Sequence, residues 1–389
     1  MTMETIISLQ MPEWLKSRKE KAQQQYNALQ WPNFRYGLTM RMDYSDLNTD
    51  ILEQQLSKQT EQQIEYESTG EDGIIVTSLQ EAMQKYQHLI EPYLLKIMSA
   101  EHKFATLHKM LCSNGTFIYI HGQADEPIII RRKAMDTSTH HTLIVADDAA
   151  SATIIELLDA PQQQSQLFVS NATEIIAKTN ASVRFISVQN YPQNVFHFDY
   201  KDAEVDQDAQ VHWVDCCMGS TFTQSTIHSL LNGIGSESTI KNMFFGSNSQ
   251  RLDLGAQIIH GASHTRGDIV TRGVLKDNAK NIYRGLIRIE RDAPSSSGYQ
   301  KEDVLMLSEH AEADSIPQLE IDNNDVKCSH AATTTHVDKE RLFYLMARGL
   351  SEKAATELFV QGFLEPFLQQ LHAPEIIEQL QKQVQQRLQ

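Results

Sequence analysis

The pattern of apolar and polar positions changes character twice along the chain. Up to about residue 105 it is polar, with apolar residues at helical spacing. Trp14, Leu15, Tyr26 and Leu29 lie in a Lys/Gln-rich stretch that ends before Trp31-Pro32, where the proline restricts the residue preceding it. Residues 79–111 repeat the theme, with Leu79, Met83, Tyr86, Leu89 and Ile90 three to four positions apart. Between Phe117 and Ile321 the period shortens. Short β-rich runs occupy 183–188, 211–214, 239–245, 252–259, 268–275 and 282–290, and later run starts recur about every 12–17 residues. Few two-residue hairpin signals separate the runs. The spacing also leaves no room for the helical crossovers that ordinary parallel strands need. Two layouts remain, a continuous sandwich or barrel and a coiled stack with about two strands per turn. The stack fits the cadence better and joins the apolar faces into one long core.

Beyond about residue 337 the chain reads as helical again. Asp338 has the place of an N-cap, with Leu342, Leu345 and Met346 on one face and Gly349 just past the end. Ser351 caps a second helix that carries Leu358 and Phe359 towards Phe363. Pro374 opens a third, whose apolar stripe is Ile377, Leu380, Val384 and Leu388. The divisions are therefore an N-terminal helical region at 1–110, a mainly β core at 111–336 and a C-terminal helical domain at 337–389. Short amphipathic helices on a β core either cover its end or dock a partner.

Composition narrows the function classes. With 389 residues and 41% hydrophobic content the chain can bury a large core, and 22% charged residues is ordinary for a globular protein. A net charge of -16 and the lack of a long Lys/Arg run exclude a nucleic-acid binder. The lone basic cluster Arg131-Arg132-Lys133 reads as a solvated turn at a strand end. No window supplies the ~18 apolar residues of a membrane span, and Ile6-Ile7 is too short an apolar core for a secretory leader. Four cysteines are too few for a disulfide framework, so a reducing cytoplasm is expected.

Enzyme signatures are missing: no phosphate-binding G-x-x-x-x-G-K-[ST] loop, no H-E-x-x-H, no G-x-S-x-G elbow. Cys216 and Cys217 are adjacent, point to opposite faces of a strand and read as core, as does Cys112 beside Leu111. His197, His212, His228, His260 and His264 are scattered through the β region and read chiefly as satisfied imidazoles. Asp322, Asp325 and Asp338 read as turn or cap residues. Cys328-Ser329-His330 differs. At i and i+2 of an extended segment the thiol and imidazole project from one face within reach of one metal ion, and both residue types ligate iron and iron–sulfur clusters. The alternative is a packed thiol beside a hydrogen-bonded histidine; if the pair does ligate, it lacks two further ligands, which another chain would have to supply.

These residues also carry a resemblance. Pro317-Gln318-Leu319-Glu320-Ile321, Asp325-Val326-Lys327-Cys328-Ser329-His330 and Ala332-Thr333 resemble the signature of the SufB/SufD family of iron–sulfur cluster assembly scaffolds. The likeness continues through Leu342-Phe343-Tyr344-Leu345 and Arg348-Gly349-Leu350-Ser351. It extends more faintly back through 282–289 and 298–307. The cysteine and serine at 328 and 329 place it nearest the SufD branch. The resemblance implies a right-handed parallel β-helix core flanked by helical regions, in a non-catalytic subunit. It implies a SufB-type partner, with a homodimer when the chain is alone, and a SufC-type ATPase docked on the C-terminal helices, where Arg348, Leu350, Phe359 and Phe363 are the candidates. A transient iron–sulfur cluster or iron would sit at the subunit interface with His330 as ligand and Cys328 in support, and no nucleotide would be bound by this chain. Two other readings are kept, a SufB-type homodimeric scaffold and a stand-alone β-helix enzyme acting on glycans.

Overall fold

The computed structural model of the protein describes residues 11–57, 63–67, 73–371 and 373–388; Ile6-Ile7 lies outside them. The core is a parallel β-solenoid of about eight turns, two strands per turn. Alternate strands fall into two nine-stranded sheets, so that each strand pairs with those two places before and after it in sequence. This connectivity removes the need for crossovers: the chain switches sheets at a tight corner and returns one layer on. One column of corners places Ala149, Asn180, Asp208, Gly235, His264 and Ser295 at positive φ, once per turn. That left-handed conformation is easiest for glycine, asparagine and aspartate, which hold three of the six places.

The interior is a long seam of alternating inward residues. Ile118, Ile144, Ile154, Phe185, Trp213, Ile240, Ile269 and Ile287 belong to it and are all almost fully buried. Packing is tight enough to need glycine where two rungs meet. A Cβ on Gly273 would lie 1.9 Å from the Phe244 ring. A polar column also runs through the lumen. Glu156, Ser187, Asp215, Asn242, Thr271 and Glu302 stand in register on consecutive strands of one sheet. Arg132 is part of this interior, 2.8 Å from Glu156 with both side chains buried. The basic cluster Arg131-Arg132-Lys133 is therefore not the solvated turn expected: the strand Ile128–Lys133 alternates faces, and its fifth residue turns inward.

Each outer face has its own cover. On one sheet Phe168, Phe196, Phe198 and Phe222 meet Tyr26, Phe34 and Phe104 of the N-terminal region, with the Phe104 and Phe198 rings 4.1 Å apart. On the other, the C-terminal helices Glu352–Leu368 and Pro374–Leu388 lay Val360, Leu364, Phe367, Leu380 and Val384 on Val188, Val214, Met243, Phe245 and Val274. The segment expected to be helical up to about 105 contains strands as well. Gln63–Glu67 and Ile74–Ser78 pair antiparallel with Ile128–Lys133 and Gly115–Ile120 and close the first turn. Gln63–Glu67 is short and mostly polar, whereas Ile74-Ile75-Val76-Thr77 is a β-branched run that the helical reading overlooked. Among the described residues, no helix is long and apolar enough to cross a membrane.

Gly273→Ala is expected to destabilise the chain by about 1–3 kcal/mol or more, because the added methyl must displace an aromatic ring held on all sides. Phe244→Leu in the same chain is expected to recover part of the loss. Thermal melting of the single and double variants checks it, and an unperturbed Gly273→Ala melt would contradict the packing described.

Candidate functional site

The stack is finished at one end and open at the other. The last two strands, Glu312–Ile321 and Val326–His336, each pair on one side only, with Lys280–Ile289 and Ser296–Met306. Their outer edges carry unpaired backbone N–H and C=O groups along 10 and 11 residues. Pro317 lies in the first of these, an edge position where the missing N–H does least harm.

Cys328 and His330 occupy the final strand, opposite Gly298 and Gln300 of the rung before. Alternation puts both side chains on the luminal face. Cys328 is half-buried and packs on the interior seam; its Sγ fills space that a Cβ on Gly298 would crowd at 3.1 Å. Burial pushes its thiol pKa up, with a backbone hydrogen bond opposing. His330 is exposed at the mouth. One rung in, Gln300 and Glu302 are buried, and Glu302 accepts a hydrogen bond from Ser315 on the facing sheet. Burial raises the Glu302 carboxyl from 4.5 to about 7, against the opposing effect of that bond. The open mouth thus lines up thiol, imidazole, amide and carboxyl on two successive rungs. A shallow hollow of about 320 Å³, bordered by Arg266, Tyr299 and Lys327, reaches Cys328 from outside. Among the described residues no third His, Cys, Asp or Glu joins Cys328 and His330 within metal-binding reach.

The other histidines have local partners. His197 bonds to Asn171, His212 to Thr239, His228 to Asp202 and His260 to Thr265, while His264 sits in a positive-φ corner. Among the described residues, no third ligand joins His260 and His264 in a metal-binding group. Cys216 and Cys217 are buried on opposite faces of their strand, one under the C-terminal helices and one in the lumen.

A second surface lies on the helices that follow. Asp338 accepts from the N–H groups of Glu340 and Arg341, and Ser351 from that of Ala354, so both caps expected from the sequence form. Gly349 between them takes φ +95. The first helix, Lys339–Ala347, has no buried residue. Phe343 is 71% exposed and Tyr344 56%, with Met346, Leu350 and Leu358 also at the surface. Arg348 lies over the Tyr344 ring and donates to its hydroxyl at 2.8 Å. Phe359 and Phe363 are half-buried in a groove of about 760 Å³ that Arg341, Tyr344 and Leu358 also line. Of the four candidates, Phe359 and Phe363 line this groove, while Arg348 reaches it only through Tyr344 and Leu350 is exposed on the turn beyond. Phe343, Tyr344 and Leu358 were visible in the sequence but not among the docking candidates; helical spacing shows an apolar face but not which face lacks a cover.

Comparison with known proteins adds a family. Residues 128–363 match the family model described as SUF system FeS cluster assembly, SufBD core domain, and 45–130 match the SufBD protein N-terminal region. A protein named "Iron-sulfur cluster assembly SufBD family protein" from Staphylococcus epidermidis strain ATCC 12228 is 33% identical over 307 residues, 77% of this chain. One from Staphylococcus aureus strain MRSA252 is 34% identical over the same length. The chain spans 66% of these relatives, just under two thirds of their length.

The raised Glu302 carboxyl gives a pH signature. The folded chain keeps a proton that the unfolded chain releases above about 4.5, so this contribution to stability is full below that pH and is lost as pH rises through about 7. Glu302→Gln is expected to flatten the pH dependence across that window and to raise stability at pH 8 by up to about 3 kcal/mol. Melting curves of the two chains from pH 5 to 8 check it; parallel profiles would mean that Glu302 is not protonated in the fold.

Proposed function

Because the chain belongs to the SufBD family of iron–sulfur cluster assembly proteins, we propose that it is a SufD-type scaffold subunit. It pairs with a SufB-type subunit through the open last turn of the solenoid and docks a SufC-type ATPase on its C-terminal helices. A transient cluster, or the iron for it, is held at the subunit interface as cargo. The observation that carries this reading is the coincidence of two incomplete features on one strand. Val326–His336 lacks a neighbour along its edge, and its Cys328 and His330 lack two ligands. A partner strand supplies both at once, by the edge-pairing mode that extends a sheet into another chain. His330 is the exposed donor, and Cys328, tucked against Gly298, supports it. The work of ATP hydrolysis belongs to the partner ATPase in a cytoplasmic complex, and this chain binds no nucleotide.

The docking half of the proposal rests on Lys339–Ala347 and the turn after it. Exposed aromatic and aliphatic side chains beside a groove are the composition of an interface centre; Phe359 and Phe363 line the groove, and Arg348 and Leu350 stand exposed on the turn between the helices. The domain at 337–389 then has two tasks, since its second and third helices already cover the solenoid. Truncation at 337 would strip that cover, so point variants are the appropriate test.

His330→Ala is expected to leave the heteromeric complex intact on gel filtration while cluster accumulation under anaerobic reconstitution falls to background. Normal loading, read by visible absorption, would sink the ligand assignment. Phe343→Asp with Leu350→Asp is expected to weaken ATPase binding about 30-fold with an unchanged melting temperature, since both residues are exposed. Wild-type binding in calorimetry would remove the docking surface. A chain that assembles clusters with the ATPase and no SufB-type subunit would instead favour the homodimeric reading.

A further inference from the structure

A second metal-binding constellation lies far from the open end, under the N-terminal helices. His108, Cys112 and His141 are buried, and one ligand atom from each lies within 4.8 Å of the others. The chain brings them together by two separate devices. His108 is on the helix Lys103–Leu111 and Cys112 follows one turn later, its N–H bonded to the His108 carbonyl, so the two share a helix face. His141 comes from the strand Ser138–Ala146, onto which that helix packs.

We propose that this cluster is a binding site for one divalent zinc-type ion, held by His108 Nε2, His141 Nδ1 and Cys112 Sγ, which fastens the N-terminal layer to the solenoid. The two facing nitrogens are 3.3 Å apart. That is the edge of a tetrahedron whose nitrogens each lie ~2.0 Å from a central zinc. Their other ring nitrogens are already engaged as a metal site requires. His141 Nε2 is 2.9 Å from a carboxylate oxygen of Glu174, and His108 Nδ1 is 2.9 Å from the Ser170 hydroxyl. A carboxylate or hydroxyl behind each ligating imidazole fixes the ring and its tautomer. Glu174 is itself held by the N–H groups of Ile97 and Met98.

The proton and charge balance is simple. On binding, His108 moves its single proton from Nε2 to Nδ1, where it bonds to Ser170, and Cys112 releases its thiol proton, so one proton leaves per ion. Buried Lys19, which donates to the Cys112 carbonyl, adds a third positive charge to the two of the ion. The thiolate and Glu174 offset two of the three. An entry path exists: a cavity of about 490 Å³ lined by Leu15, Lys19, Leu95 and Cys112 opens to the surface. The fourth coordination position is left to water. Soft sulfur with two imidazoles selects zinc-type ions over calcium or magnesium.

The full chain, stripped with chelator and reloaded anaerobically with Co²⁺, is expected to retain one ion after desalting and to show a sulfur-to-cobalt charge-transfer band. Cys112→Ser is expected to lose the band and weaken retention at least about tenfold, whereas Cys328→Ser keeps both, separating this site from the open end. Zn²⁺ is expected to raise the melting temperature of the wild-type chain and not of Cys112→Ser. His141→Gln gives an independent reading should Cys112→Ser not fold, and is expected to lose the ion likewise. No retained ion in the folded wild type, or a band that survives Cys112→Ser or vanishes in Cys328→Ser, overturns the assignment.

Discussion

A solenoid of parallel strands satisfies its backbone only by stacking. Each strand's N–H and C=O groups find partners on the turn before and the turn after, about 4.8 Å away, so no turn is complete alone. The constraint makes the interior of the stack stable and leaves each end with a debt of unpaired groups. At the N-terminal end, two five-residue antiparallel strands and the helices around them close the first turn. At the C-terminal end nothing among the described residues plays that part, and the free edges are twice as long. The difference between the ends, more than any single residue, directs attention to the last turn.

The lumen adds a second constraint, that of register. Six polar residues from Glu156 to Glu302 lie in one column of one sheet, and Arg132, Asp199 and Lys201 pair with members of it or beside it. Burying such groups is costly unless each finds a partner. Burial lowers the affinity of Lys201 for its proton, yet Asp199 and Asp215 more than offset this and raise it, so the lysine stays charged. A slip of one residue in any strand would turn its luminal set outward and strand the neighbours' charges in an apolar seam. The column thus fixes the rung on which Gln300 and Glu302 sit, and through them the placement of Cys328 and His330.

Much of this was legible from the chain. The short, closely spaced β runs and the absence of crossover helices pointed to stacked strands, and the caps at Asp338 and Ser351 were readable residue by residue. Resemblance around Cys328-Ser329-His330 gave the family. What was not legible depended on contacts between distant segments. Gln63–Glu67 reads as a polar loop because it is a strand only through its pairing with Ile128–Lys133. Arg132 reads as a surface charge because its partner, Glu156, is supplied by the next turn. Cys112 looks like plain core, since His141, 29 positions further on, reaches it only when the helix before Cys112 packs on the strand that carries His141. All three C-terminal helices carry apolar residues, and only the fold shows that two are covered and one is not.

At the open end, chemistry and architecture pose the same problem. A metal site held within one chain has its ligands brought together by the fold, as His108, Cys112 and His141 are. Under the proposed function the set at the open end would instead be split across two chains, so that pairing of the sheet edge would create the site. Cys328 is suited to the quieter role, because burial disfavours its thiolate. His330, exposed one pleat further out, can reach across an interface without a change in rotameric burial. A neutral imidazole also leaves less negative charge on a cluster than a thiolate would, which suits cargo that has to leave. Under this reading the unpaired edge is not a defect of the solenoid. It is the half of the site that the backbone provides.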